Sequence, residues 1–263
     1  MSQVFNSIFG WPGSFVIRRL DYLVNVTTFV CFVLRDWFAR AGLIYRYSYR
    51  PLITQIIFTG VDALPTVVFL GFITGFILTF RMIELFDSVG DAVTMLQYMI
   101  GLEIGPMMAA IILISRTASA ITVDIGNMKL HKEIQSLELM GVDINETLIA
   151  PRILGVTISQ VVVAVYFTFV TLASGILLSG LLISPDHYSY FLKLADSAEP
   201  MMLLLFVVKN MLFGLTIGTV SCYHGLSVGT SATEVPQQTQ RAIVSILIML
   251  FIIDSVIVMV LLS

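Results

Sequence analysis

The sequence predicts an all-α membrane protein, and three observations carry that prediction. Of its 263 residues 57% are hydrophobic and only 12% charged, with a mean hydropathy of +0.95, whereas a soluble domain carries about 25% charged residues. Five apolar runs are each long enough to cross roughly 30 Å of hydrocarbon, which takes about 20 residues. Between the second and third runs lies a polar stretch with the pattern of a short helix. The expected architecture is an N-terminal interfacial helix, five transmembrane helices, a helix in the loop between spans two and three, and a short external helix.

The N-terminal apolar stretch Tyr22–Leu34 contains Asn25 and meets Arg35 and Asp36 after 13 residues. That is too short to cross, so it is expected to lie in the interface, anchored by Trp11, Trp37, Tyr45, Tyr47 and Tyr49 and by Arg18, Arg19, Arg35, Arg40, Arg46 and Arg50. It lacks a convincing cleavage site and does not read as a removed signal. The expected spans are Ala63–Phe80, Ala92–Ser115, Ile153–Ser184, Pro200–Tyr223 and Ala242–Ser263. The third would be about 48 Å long as one helix, too long for an upright crossing and too short for two, so one tilted helix is expected. Residues 185–199 form an external element, helical from Tyr188. No repeat is evident, and residues 1–263 read as a single domain with an interfacial region, 1–50, and a transmembrane region, 51–263.

Cationic residues set the orientation. With the N-terminus inside, the six arginines above and Arg116, Lys129, Lys132, Arg152 and Arg241 face the cytoplasm, eleven in all, leaving Arg81 and Lys193 outside. By the positive-inside rule the N-terminus is expected inside, the C-terminus outside, and loop 117–151 in the cytoplasm. Within that loop the pattern predicts a helix over 128–140. Asn127 is its expected N-cap, Leu130, Ile134 and Leu137 share one face, and Gly141 closes it in a left-handed conformation. Lys129, Lys132, Glu133 and Ser136 point away, toward water or a soluble partner.

Three charges lie inside spans: Glu103, Lys209 and Asp254. Such charges are costly in a bilayer. Lys209 and Asp254 stand about equally far from the outer ends of their spans, which predicts that they pair, with Glu103 as competitor or third member. Either a register-fixing pair or a hinge or proton site accounts for them. Pro106, close to Gly101 and Gly105, predicts a kink. The apolar stripes Val68, Phe69, Phe72, Phe76, Phe80 and Ile246, Leu250, Ile253, Ile257 suit an acyl-chain cavity or ordinary packing.

Catalytic patterns are absent. There is no phosphate loop ending in G-K-S/T, no H-E-x-x-H and no G-x-S-x-G. His131, His187 and His224 lie in separate loops and predict no metal site. Cys31 and Cys222 are far apart and read as buried small residues. No basic cluster interleaved with aromatics points to nucleic acid.

The ordered motifs Gly105–Pro106, Arg116 with Ser119–Ala120, Asp124–Lys129, Glu133, Met140 with Val142–Asp143, Pro151–Arg152, Lys209, Thr230–Ala232 and Asp254 resemble the MlaE/YrbE permeases of Mce-linked lipid ABC transporters. The resemblance implies a permease subunit in the bacterial inner membrane, paired with a second copy of itself, an ABC ATPase subunit and an Mce-domain protein, and moving lipid. ATP and magnesium would be held by the ATPase, with no cofactor in this chain. The loop helix would be its coupling helix, using Lys129, Lys132, Glu133, Ser136, Leu137 and Met140, and the external helix and the C-terminus would be periplasmic. A lipid cavity would be lined by Val68, Phe72, Phe76, Ile246, Leu250 and Ile253. The chain departs from the family at Leu102, where an arginine is common. The alternative reading is an ion-coupled secondary carrier built on Glu103, Lys209 and Asp254, although carriers usually have more spans and visible repeats. A lipid-modifying enzyme lacks the necessary nucleophile, base or metal ligands.

Overall fold

A computed structural model of the chain describes Thr28 and residues 49–86, 89–182 and 200–262, and the described elements are all helical. Five helical stretches are long and apolar enough to cross a membrane: Arg50–Met82, Thr94–Leu130, Asn145–Leu177, Met201–Leu226 and Glu234–Met259. The expected interfacial segment Tyr22–Leu34, apart from Thr28, and the external element at 185–199 lie outside the described residues.

Helix α1 (Tyr49–Thr59) and helix α2 (Leu64–Leu85) are joined at Gly60 by a 3-10 turn, Val61–Ala63. Pro65 falls in the first turn of α2, where a missing N–H costs no intrahelical bond. Helix α1 starts at Tyr49, next to the boundary expected at residue 50, and packs against α7.

The second span is longer than expected. Helices α3 (Val89–Tyr98), α4 (Gly105–Leu113) and α5 (Ser119–Leu130) follow one another without a break through two π segments, Met99–Ile104 and Ile114–Ala118. The helix therefore continues past Ser115, and Asn127 is inside its last turn rather than at an N-cap. Two contacts keep it helical there: Ile125 is fully buried, and the Lys129 ammonium donates to the Leu226 carbonyl. The break comes at His131–Lys132, where Lys132 is left-handed with φ 61°.

Helix α6 (Glu133–Leu139) is accordingly shorter than the expected 128–140, and Leu130 belongs to α5. Its end matches expectation: Gly141 has φ 77°, its N–H bonds to the Glu138 carbonyl at 2.9 Å, and Val142 N–H bonds to the Leu137 carbonyl at 3.1 Å. These two bonds satisfy carbonyls that the helix end would leave open. Asp143 then starts the third span, its Oδ1 accepting from Asn145 N–H at 2.9 Å as an N-cap.

After a π turn, Asn145–Ile149, helix α7 runs unbroken from Ala150 to Leu182. Its 33 residues make one helix of about 50 Å. Helices α8 (Pro200–Leu226) and α9 (Glu234–Leu262) complete the body. The T-S-A motif turns the chain into α9. Ser231 Oγ accepts from Thr233 N–H at 3.4 Å, and the Ser231 carbonyl accepts from Glu234 N–H at 3.0 Å.

Helix α7 is the hub, packed against α1, α2, α4 and α8, while α9 packs on α8 and α5. Small residues set these contacts, as membrane helices need when lipid offers no hydrophobic contrast. A Cβ on Gly75 would overlap the Thr171 carbonyl and Ser174 Oγ of α7, and one on Gly214 would stand 2.5 Å from Thr157 Cα. Helix α9 is the most exposed span, showing Val244, Phe251, Ile252, Val256 and Met259 outward.

Candidate functional site

The intramembrane charges converge. Lys209 Nζ lies 2.5 Å from Asp254 Oδ1 and 3.4 Å from Glu103 Oε2, joining α8, α9 and the first π segment. The Lys209–Asp254 contact is an ion pair whose angles fall short of a hydrogen bond, since Oδ1 has no hydrogen-bond partner. The ammonium also donates to the Leu102 carbonyl at 2.5 Å. That carbonyl sits one turn before Pro106, which has no N–H to offer it. The ammonium thus makes two hydrogen bonds, to the Leu102 carbonyl and to Glu103, and one further ion-pair contact to Asp254. The π segment supplies the geometry: its wider turn, closed by Gly105 N–H on the Ile100 carbonyl, is the kind of local defect that sits beside prolines and functional sites.

A neutral polar layer extends the cluster inward. Gln160 Nε2, from α7, donates to the Pro106 carbonyl at 3.2 Å and to Asn210 Oδ1 at 3.0 Å. Lys209 is buried, whereas the Glu103 side chain is 44% exposed and is the member of the cluster open to whatever lies outside. Chemically this is an ionic lock. The lysine side chain is held between two carboxylates and a backbone carbonyl, which ties three helical segments together.

A second set of charges ties the helices at the other end of the spans. Arg116 pairs with Asp62 at 3.0 Å and stands 5.6 Å from the centre of the Phe58 ring. Arg152 binds Asp124 through Nη2, while its Nη1 is buried without a partner. These motif residues hold the first three spans to each other.

On α6, Ile134 is buried and Leu137 half-buried, whereas Lys132, Glu133 and Ser136 are exposed. Lys129, expected to face water or a partner, is exposed and also caps α8 through its ammonium. Sequence reasoning missed Leu139. With Met140 it makes an apolar tip, the two being 90% and 70% exposed. The signal was available: Leu139 lies outside the register of the buried face.

The six expected cavity residues do not form one wall within the chain. Val68, Phe72 and Phe76 face outward from α2, but Ile246 and Leu250 are fully buried and Ile253 is half-buried. Ile246 and Leu250 therefore belong to the core of the chain, because α9 turns that stripe toward α8 and α5. An apolar recess of about 320 Å³ lies elsewhere, between Gly101–Leu102, α7 and α8. His224 Nδ1 lies 2.9 Å from Gln238 Oε1, His131 is exposed, and His187 is outside the described residues. Among the described residues no group of His, Cys, Asp and Glu is arranged to hold a metal.

Comparison with known proteins decides the family. The family model described as permease MlaE matches residues 52–260, which takes in all five spans and the loop helix. The chain belongs to the MlaE permease family. Among similar proteins is a probable ABC transporter permease protein of Rickettsia prowazekii, 24% identical over 204 residues that cover 76% of this chain and 79% of the relative. The intermembrane phospholipid transport system permease protein MlaE of Haemophilus influenzae is 26% identical over 205 residues, 76% of this chain and 78% of its own. The chloroplastic protein TRIGALACTOSYLDIACYLGLYCEROL 1 of Arabidopsis thaliana is 24% identical over 255 residues, 93% of this chain and 68% of its own. This MlaE family member is a multi-pass membrane protein, and several of its relatives are named as probable ABC transporter permeases.

Proposed function

We propose that this chain is the membrane subunit of a lipid-moving ABC transporter. It works as two identical copies with a separate ATPase that holds ATP and magnesium, passing phospholipid between the bacterial inner membrane and an Mce-domain partner. The observation that carries this reading is the family match over residues 52–260, joined to a relative named for intermembrane phospholipid transport. The excess of cationic residues supports a topology with α6 in the cytoplasm, the N-terminus inside and the C-terminus outside.

The geometry supports a division of labour. Leu139 and Met140, flanked by Lys132, Glu133 and Ser136, form a tip suited to a groove on the ATPase. Helix α6 follows α5 after a two-residue turn, and α5 is continuous with the π segment that carries Glu103. Movement of α6 is thereby carried along one helix to the ionic lock. The Val68, Phe72 and Phe76 stripe, open on α2, lines a lipid cavity once a second copy closes it. Reconstitution of the chain with its ATPase tests the proposal: lipid movement should require both proteins and ATP. The charge cluster is what favours an ion-coupled carrier instead, and such a carrier would run on an ion gradient without an ATPase.

A further inference from the structure

A recess of about 540 Å³ opens between α1, α5 and the start of α7, on elements that the Asp62–Arg116 and Asp124–Arg152 pairs tie together. This is within the size range of small-molecule sites. Its wall is graded. Phe58, which stacks under Arg116, Ile121 and Leu148 are apolar, whereas Arg50, Asp124 and Arg152 are charged. The Asp124 carboxylate is bound to Arg152 Nη2, so the charges of the wall sum to one positive.

The sharper observation is on Arg152 itself. Its side chain is 16% exposed, and the second terminal nitrogen, Nη1, is buried with no acceptor. A buried guanidinium nitrogen left unpaired costs free energy that an oxygen anion would recover, and guanidinium groups suit phosphate oxygens in shape as well as charge. Arg50 adds a second guanidinium to the same wall. Beside the recess α1 crosses α7 closely: a Cβ on Gly155 would stand 2.7 Å from Gln55 Cγ.

From this we infer that the recess binds the phosphate of an anionic phospholipid in the adjacent leaflet, with Arg50 and Arg152 on the headgroup and Phe58, Ile121 and Leu148 against the glycerol end of the acyl chains. The lipid is the occupant because the wall joins a net positive charge to an apolar side, the complement of an anionic headgroup and the first part of its acyl chains. The inference needs only that the protein is membrane-embedded and does not depend on the transport proposal.

The test places a photo-crosslinking residue at Leu148 of the full chain in phosphatidylglycerol nanodiscs, with Phe72 as control position, and identifies captured molecules by mass spectrometry. Capture of phosphatidylglycerol at 148 should fall by about tenfold or more in Arg50→Gln and in Arg152→Lys, the size of one lost charge-assisted bond. Capture at 72 should not change. Arg152→Lys keeps the charge beside Asp124 while deleting Nη1, so a fold defect is separable by its effect at 72. Unchanged capture at 148 in both variants, capture of a protein segment in place of lipid, or full competition by millimolar inorganic phosphate would each overturn the inference.

Discussion

Lys209 and Asp254 lie 2.5 Å apart, tying the fourth and fifth spans within their membrane-crossing lengths. A lone ion at such a depth costs roughly 2.5–3.5 kcal/mol on insertion scales. Lys209→Met and Asp254→Leu should each lower the yield of folded protein and lipid movement, and the double change should regain part of the loss. A double variant no better than the worse single one would show that the two charges act separately or that Glu103, 3.4 Å from Lys209, is the dominant partner.

The fit of α2 on α7 turns on one position. Because Gly75 faces the Thr171 backbone carbonyl, which cannot rotate away, Gly75→Ala should destabilise by about 1–3 kcal/mol and lower the unfolding temperature in detergent. Gly101 has nothing within 4 Å of where a Cβ would stand, so Gly101→Ala should be neutral or mildly stabilising. Equal thermal shifts for the two variants would contradict the packing described.

The loop helix should act on its partner and not on the fold. Glu133 is exposed, whereas its neighbour Ile134 is buried. Glu133→Lys should leave thermal stability unchanged while weakening pull-down of the ATPase by at least about tenfold, a change of about 1.4 kcal/mol. Met140→Asp should do the same by placing a charge on the apolar tip. Normal pull-down by both variants would remove α6 from the coupling mechanism.

Lipid should be captured by photo-crosslinkers at Phe72 and Phe76, which face outward, and not at Ile246 or Leu250, which are fully buried in the chain. Val161, half-buried on the central helix, should label less than Phe72. Uniform labelling at all five positions would mean that only bulk bilayer is being sampled.

How much of this was legible in the sequence differs by feature, for physical reasons. The five spans were legible because length and apolarity alone fix them, and the meeting of Lys209 with Asp254 followed from equal depths in adjoining spans. The end of the second span was not. Arg116 looked like a terminus, yet its charge is answered by Asp62, fifty-four positions earlier, so the helix runs on. Asn127 has capping chemistry, but its helix is held by the burial of Ile125 and by the Lys129 bond to Leu226, both long-range contacts. Pro106 signalled a disturbance without showing that a π turn would supply it, and the periodicity of α9 could not say which stripe faces the core.

The most direct test of the central claim is lipid extraction from proteoliposomes containing this chain and its ATPase, read with a fluorescent phospholipid and an acceptor protein. The account predicts extraction that needs ATP and both subunits and is lost in Glu133→Lys. Extraction that proceeds without the ATPase and follows an imposed ion gradient would contradict it.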